Sequence, residues 1–300
     1  VSLLTGVQKF TLENLLLGKE TQLLIISRIP RLVSILVTGA SLGIAGIIVQ
    51  TISSNKFVSP STIGTMDWAK FGIMISLIFL GDKSTLLKMT VAFIFALFGT
   101  MLFMKVLSKM KIKNVVMIPL IGIMLGNVVN SITGFVAYKF DLIQNIGSWM
   151  QGNFALVVKG RYELIYIGIP FLVLAYIYTD KFTIVGIGKD FSANLGLNRE
   201  KITFIGLIIV SVITASIVVT IGTIPYVGLI IPNIVSIYKG DNMKKSLPDT
   251  AILGALFVLI CDIAGRIVMY PYEVSISVIM SIVGSLIFLI LIFRRYKYAN

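Results

Sequence analysis

Long apolar runs separated by short polar connections make up most of the chain. A bilayer core about 30 Å thick needs roughly 20 apolar residues in a helix, because lipid leaves every backbone amide and carbonyl to be satisfied within the segment. Eight clear runs of about this length cover residues 32–52, 67–80, 86–107, 115–137, 161–179, 202–222, 249–269 and 274–293. The pattern predicts an all-α fold, a polytopic membrane helical bundle.

A ninth apolar segment, residues 224–238, is shorter and is interrupted by Pro225 and Pro232. Proline lacks the backbone N–H that a continuous helix uses, so irregular backbone is expected here. We predict a broken or re-entrant piece that then completes a ninth crossing.

Basic residues accumulate in every second connection between the apolar runs. The basic clusters lie at residues 105–113, 181–201, 239–245 and 294–297. Connections 81–85 and 139–145 are short and nearly neutral. Because positively charged connections stay on the cytoplasmic side, the sequence predicts a cytoplasmic C-terminus and an outside location for residues 1–27.

An outside N-terminal segment that begins with valine requires either a preceding crossing or a signal peptide. We favour a missing first helix with residues 1–7 as its tail, which gives about ten transmembrane helices in the intact protein. A cleaved signal peptide is the alternative. No polar linker divides residues 1–300, so we expect a single transmembrane domain.

The composition limits the kinds of functional site that the chain can contain. The chain is 57% hydrophobic and 13% charged, whereas about a quarter of the residues in a soluble domain are charged. Histidine is absent and Cys261 is the single cysteine, so no disulfide framework or metal site is expected. The sequence also lacks a Gly-x-x-x-x-Gly-Lys-Ser/Thr phosphate loop, which assigns any ATPase to a separate protein. An intramembrane enzyme would have little beyond a serine–lysine pair for catalysis.

Charged residues within the spans form two spaced pairs. Asp67 and Lys70 are three residues apart, and Asp262 and Arg266 are four apart, so each pair can neutralise itself on one helix face. We favour a structural role for these pairs. Alternatively, Asp67 and Asp262 could carry protons in a proton-coupled secondary transporter.

Asn127, Asn130 and Asp67 are candidates for lining a translocation path. Interhelical hydrogen bonding explains the two asparagines equally well.

Arg28-Ile-Pro-Arg31 places two arginines at the outer mouth of the first complete helix, with Pro30 at an early helical position. Two interpretations remain open: interfacial snorkelling, or docking of carboxylates from an external partner.

The run from Gly39 to Gly46 presents small residues that allow a neighbouring backbone to approach closely. The polar exit that follows, from Gln50 to Pro60, is either an ordinary loop or irregular backbone that lines a cavity.

Residues 186–201 are predicted to form two short helices between two spans. Asp190 can cap the first, Gly196 can end it, and Asn198 can cap the next. The segment is either a plain connector or a lever against a cytoplasmic partner.

Several motifs occur together in order along nearly the whole chain. They are Arg28-Ile-Pro-Arg31, Gly39-Ala-Ser-Leu, Gln50 to Pro60, Asn194-Leu-Gly196, Gly222-Thr-Ile-Pro-Tyr-Val-Gly-Leu-Ile-Ile-Pro-Asn-Ile-Val-Ser236 and Cys261-Asp-Ile-Ala-Gly-Arg266. In this order and spacing the chain resembles the iron-siderophore and cobalamin importer permeases.

The resemblance implies a ten-helix permease that works beside a second permease, either a sister chain or an identical copy. Its other partners would be two cytoplasmic ATPase subunits, which use ATP and Mg, and an extracytoplasmic lipoprotein that delivers ferric siderophore. No cofactor is expected on the permease itself.

The resemblance also assigns site residues by position. Arg28, Arg31 and Arg266 match arginines that meet acidic residues of the binding protein. The coupling helices that seat on the ATPase are matched by Lys189, Asp190, Phe191, Ser192, Ala193, Asn194, Leu195, Gly196 and Leu197.

Within the family, the chain is most similar to the petrobactin-type permeases of Gram-positive bacteria, through Asn55-Lys-Phe-Val-Ser-Pro60, Met66-Asp-Trp-Ala-Lys70 and Ser148-Trp-Met-Gln-Gly152. It departs from the family pattern in two places. Asn233 stands where a histidine is usual, and Asp67 and Trp68 replace a small-residue stretch. Substrate specificity therefore does not transfer directly from other members.

Overall fold

A computed structural model describes residues 24–109, 117–160 and 162–299, and these residues form helices joined by short turns, without a β-strand. The α-helices are α1 (Ile29–Ile52), α2 (Thr65–Leu80), α3 (Thr85–Lys109), α4 (Met117–Lys139), α5 (Ile143–Met150), α6 (Gly168–Ile177), α7 (Thr179–Ile187), α8 (Lys189–Asn194), α9 (Arg199–Ile221), α10 (Val227–Lys239), α11 (Met243–Ile267) and α12 (Ile276–Ala299). The predicted all-α fold is confirmed. The predicted tail of a first helix, residues 1–7, lies outside the described residues.

Within the described residues, six helices are long and apolar enough to cross a membrane: Leu24–Ile52, Thr85–Leu107, Met117–Lys139, Arg199–Ile221, Met243–Ile267 and Ile276–Arg294. A seventh span is broken, because Glu163–Ile177 and Thr179–Ile187 meet at an angle of 60°. Helices α2 and α10 have 16 and 13 residues, which makes them about 24 and 20 Å long. Every apolar segment predicted from the sequence thus contains a helix, although α2, α6 and α10 are each shorter than a bilayer core.

Helices α1 and α9 form the centre of the bundle. Their apolar windows are 72% and 78% buried, against 22–39% for the other four long spans. Helix α1 packs along α11 and also contacts α9 and α10, while α9 contacts α2, α3 and α6. The surrounding helices consequently present apolar side chains outward, as expected where lipid or another subunit is the neighbour.

Glycines allow α1 to approach two other helices at backbone distance. A Cβ atom placed on Gly39 would lie 2.3 Å from the Gly254 carbonyl oxygen of α11, and one placed on Gly46 would lie 2.0 Å from the Gly228 carbonyl oxygen of α10. Both distances are far below van der Waals contact, so no larger residue fits without moving a helix. The predicted small-residue packing face of α1 is therefore confirmed.

Helix α10 shows how an intramembrane proline is accommodated. The chain from Gly222 to Tyr226 is irregular, as predicted around Pro225, but the predicted interruption at Pro232 is wrong because this residue lies inside α10. Pro232 has no N–H to donate to the Gly228 carbonyl four residues earlier. Nε2 of the buried Gln50 donates to that carbonyl at 3.3 Å and to the Leu229 carbonyl at 3.1 Å.

We expect Gly254→Ala to destabilise the protein by about 1–3 kcal/mol, because the new methyl group would overlap the backbone of α1. The matched control is Gly134→Ala in α4, where an added Cβ meets nothing within 4 Å. Thermal unfolding of the two purified variants in detergent checks this. Equal melting temperatures would contradict the packing argument.

Candidate functional site

Four charged side chains meet where α1 begins and α11 ends; we call them the arginine cluster. Arg31 Nη2 donates to Asp262 Oδ1 at 2.9 Å, and Arg31 Nη1 donates to Glu273 Oε2 at 2.8 Å. Arg266 Nη2 donates to Asp262 Oδ2. Asp262 therefore bridges two arginines, and Glu273, from the connection between α11 and α12, reaches one of them.

Burial within the arginine cluster is uneven. The side chains of Asp262 and Arg266 are 3% and 2% exposed, whereas those of Arg31 and Glu273 are 12% and 22% exposed. An unpaired charge at a buried site is strongly destabilising, so the inner pair has to remain satisfied. The predicted pairing of Asp262 with Arg266 is confirmed. Sequence reasoning missed the contacts of Arg31, because its partners are 231 and 242 residues away along the chain.

The three arginines predicted to dock an external partner occupy different environments. Arg28 is half-buried and ends the π-helical turn Leu24–Arg28, which leads into α1. Arg31 is linked through Asp262 to Arg266. Arg266 is buried, so among the three it is Arg28 and Arg31 that present guanidinium surface at this end of the bundle.

The opposite end of the bundle carries the segment predicted to couple to a partner. Helix α1 has 24 residues, a length of about 36 Å, and beyond its end Ser54 Oγ donates to the Gly186 carbonyl of α7 at 3.1 Å. The short helix α8 follows directly after α7. The arginine cluster and α8 therefore lie about one membrane thickness apart.

Backbone geometry defines both ends of α8. Gly196 has a φ of +71°, its N–H donates to Ala193, and the Leu197 N–H donates to Ser192, which is a glycine-terminated C-cap. Asn198 caps α9 by accepting from the Lys201 N–H at 3.0 Å. These two predicted caps are confirmed.

The predicted N-cap role of Asp190 is wrong. Helix α8 begins at Lys189 with Gly188 at the N-cap, because the extended turn at Gly188, with a φ of +150°, places the cap earlier. Asp190 therefore lies in the first turn of the helix.

Helix α8 exposes apolar side chains on a connection that is otherwise polar. Phe191 and Leu195 are 47% and 55% exposed, and their spacing of four residues places them on one face. Ser192, the residue after Phe191, is buried. An exposed apolar pair beside basic residues is suited to contact with another protein.

A polar cluster joins α2 to α4 within the apolar part of the bundle. Lys70 Nζ donates to Asn130 Oδ1 at 2.7 Å. Asp67 packs against Gly126, where an added Cβ would lie 2.3 Å from its Oδ2 atom. The predicted ion pair between Asp67 and Lys70 is not formed among the described residues, because Lys70 reaches across to α4 instead. Asn127 is exposed on the outer surface of α4.

A cavity of about 460 Å³ lies between α1, the start of α10 and the start of α12. Ser59, the start of the 3-10 helix Pro60–Ile63 and the irregular backbone at Thr223–Tyr226 form part of its wall. Ser59 and Pro60, at the end of the polar exit after α1, therefore line a cavity, whereas Gln50, at its start, bonds to α10. Hydroxyl groups are contributed by Ser59, Ser61, Thr223, Tyr226, Ser277 and Ser281. Asp67, Asn127 and Asn130 do not line it.

Hydroxyls can exchange hydrogen bonds with a polar solute. Across the described residues, no group of three or more His, Cys, Asp or Glu side chains is arranged to hold a metal ion.

A bundle of apolar helices with a charged cluster at one end, the short helix α8 at the other and a cavity in its wall has the architecture of a multi-pass membrane protein. The chain belongs to the FecCD transport family, whose profile matches residues 1–294.

Several characterised relatives cover most of the chain. It is 58% identical over 281 residues to the petrobactin import system permease protein YclN of Bacillus subtilis, covering 94% of this chain and 89% of the relative. It is 38% identical to the ferric-anguibactin transport system permease protein FatD of Vibrio anguillarum, covering 91% and 87%. The petrobactin import system permease protein FatD of Bacillus anthracis is 33% identical, covering 99% and 88%.

Two solved structures share the fold. A transporter described as of the metal-chelate ABC type, in an inward-facing conformation, superimposes with a TM-score of 0.84 at 23% identity, covering 92% of this chain and 89% of that chain. PsaBC from Streptococcus pneumoniae in complex with a Fab superimposes with a TM-score of 0.62 at 17% identity, covering 89% and 94%. The resemblance to importer permeases inferred from the sequence is confirmed at the level of family and fold.

We expect Asp262→Asn to lower the free energy of unfolding by about 3 kcal/mol, because the substitution leaves two arginines without their shared carboxylate. Asp141→Asn is the control, since Asp141 is exposed and its positive φ of 55° also suits asparagine. Thermal unfolding in detergent measures both variants. A drop of similar size in the control would show that the loss is not specific to the arginine cluster.

Proposed function

We propose that this chain is the transmembrane permease subunit of an ATP-binding-cassette importer. Its cargo would be a ferric siderophore, petrobactin or a related catecholate, carried across the cytoplasmic membrane into the cell. The observation that carries this proposal is the 58% identity, over 94% of the chain, to a permease named for petrobactin import. The relatives at 38% and 33% identity are also named for ferric-siderophore or petrobactin import.

The charge pattern supports one orientation of the bundle. The basic connections 181–201 and 239–245 lie at the end that holds α8, and Arg294 is close to the C-terminus. Under the positive-inside rule this end faces the cytoplasm. The arginine cluster then faces outward, and the C-terminus is cytoplasmic.

Each end of the bundle has a role in this proposal. An acidic surface of an extracytoplasmic binding protein docks on Arg28 and Arg31, whose guanidinium groups suit carboxylates, while Arg266 supports them through Asp262. Residues 189–197 seat on one of two cytoplasmic ATPase subunits, with Phe191 and Leu195 as the apolar contacts.

Transport itself requires no chemical step in the permease. Pairing with a second permease encloses a path, and ATP-driven closure of the ATPases, acting on α8, opens that path to one side and then to the other. The permease binds no cofactor of its own, and the ATPases use the ATP and Mg. The cavity at Ser59–Ser61 and Thr223–Tyr226, whose largely apolar wall also carries hydroxyl groups, is a surface for the chelate.

The decisive test is uptake of radioactive iron as ferric petrobactin into proteoliposomes that contain this chain with its candidate partner subunits. We expect uptake to require ATP on the side of the ATPases and binding protein on the other side. The alternative, a proton-coupled secondary transporter, predicts uptake driven by an imposed proton gradient without ATP. That alternative would depend on Asp67, since Asp262 is already held in ion pairs with two arginines.

A substitution on α8 tests the coupling role. We expect Phe191→Asp to reduce ATP-dependent uptake at least about tenfold, because a charge replaces an apolar anchor of the subunit interface. The conservative variant Phe191→Leu retains apolar contact and should transport at a rate close to wild type. Membrane insertion is checked in parallel, and equal transport by both variants would exclude α8 as the coupling element.

A further inference from the structure

The carboxylates that hold Arg31 differ in how firmly they are bound. Asp262 is 3% exposed and is held by two arginines, whereas Glu273 is 22% exposed and, among the described residues, forms its ion pair with Arg31 alone. Glu273 also lies outside the helices, in the connection between α11 and α12. Of the two carboxylates, Glu273 is therefore the one that can separate from Arg31.

We propose that Glu273 is an internal substitute for the partner's carboxylate: it occupies Arg31 while the transporter is free and is displaced when an acidic side chain of the binding protein docks. This inference rests on the docking role proposed above for Arg31. It identifies Glu273 as a residue that sets the affinity of the outer surface.

The geometry around Arg31 allows such an exchange. Its Nη2 atom remains fixed to Asp262 at 2.9 Å, so release of Glu273 from Nη1 does not free the guanidinium group. The buried Nε atom of Arg31 has no hydrogen-bond acceptor among the described residues. The neighbouring Tyr272 is 76% exposed, which places Glu273 beside an accessible surface.

Glu273 could act on docking in two ways, by competing for Arg31 or by orienting it, and the net charge together with the strength of the ion pair indicates which effect is larger. The arginine cluster together with Arg28 holds three arginines and two carboxylates, which is one net positive charge, and removal of the Glu273 charge raises it to two. Glu273 would favour docking if it were needed to orient Arg31, but Asp262 already orients this side chain. Because a partly exposed ion pair is worth little, displacing Glu273 should weaken docking by only about fivefold.

The experiment measures binding of the siderophore-loaded binding protein to the complete transporter in nanodiscs. Glu273→Gln should lower the Kd about fivefold. The matched control is Glu163→Gln, which removes the same charge from another carboxylate. Glu163 accepts a hydrogen bond from the Gly160 N–H. The Kd of this variant should stay within about twofold of wild type. Arg31→Gln should raise the Kd at least tenfold.

A double variant separates exchange from a general charge effect. If Glu273 acts by occupying Arg31, most of the effect of Glu273→Gln is lost in the Arg31→Gln background, because the two residues form one interacting pair and only the weaker influence of the Glu273 charge on Arg28 is left. If Glu273→Gln lowered the Kd equally in the wild-type and Arg31→Gln backgrounds, the exchange would be overturned, and the effect would be a general change in surface charge.

Two further outcomes separate this inference from the proposed function. Weaker or unchanged binding of Glu273→Gln, with Arg31→Gln still defective, would overturn the exchange and leave docking intact. A normal Kd for Arg31→Gln would overturn the docking role of Arg31 and, with it, the exchange.

Discussion

The bilayer core provides no water to satisfy a backbone or side-chain polar group, and this constraint explains most of the described interior. Where Pro232 removes a backbone donor from α10, the side-chain amide of Gln50 replaces it. The amide of Asn233 donates to the Leu229 carbonyl and to the Lys56 carbonyl, both at 2.7 Å. A helix that contains a proline is therefore kept in place by amides from α1 and from α10 itself.

The same constraint governs the charges and places α1 at the centre of the molecule. Helix α1 begins with Arg31 in the arginine cluster, packs by its glycines against α10 and α11, and ends beside α7 and α8. One continuous, buried helix thus connects the two ends of the bundle. A displacement of either end would be transmitted through backbone contacts that leave no space for side-chain rearrangement, as between Gly39 and Gly254.

Much of this architecture could be predicted from the sequence because its signals are local. The length of the apolar runs predicts the spans, and the small residues of α1 predict the face where other helices pack closely. Gly196 and Asn198 predict the caps around α8. The contacts that join distant segments could not be predicted in this way. Nothing near Arg31 in the sequence indicates Glu273, and Lys70 bonds to Asn130 although Asp67 is closer along the chain. Such pairings depend on how helices are rotated against one another, which no single periodicity specifies.

The chemistry of the cavity is consistent with cargo that already carries its own ligands. A ferric siderophore fills the coordination sphere of the metal, so a path for it has to offer a surface to the chelate and needs no metal ligands of its own. This chain contains no histidine, and its one cysteine, Cys261, is buried in α11. The cavity wall is more apolar than polar, and the serine, threonine and tyrosine hydroxyls set among its apolar side chains can exchange hydrogen bonds with the outer oxygens of a chelate. Individually such bonds are weak, because each replaces a bond to water at little net gain. A surface of this kind can hold a polar solute and release it again, which a path that must deliver its cargo requires.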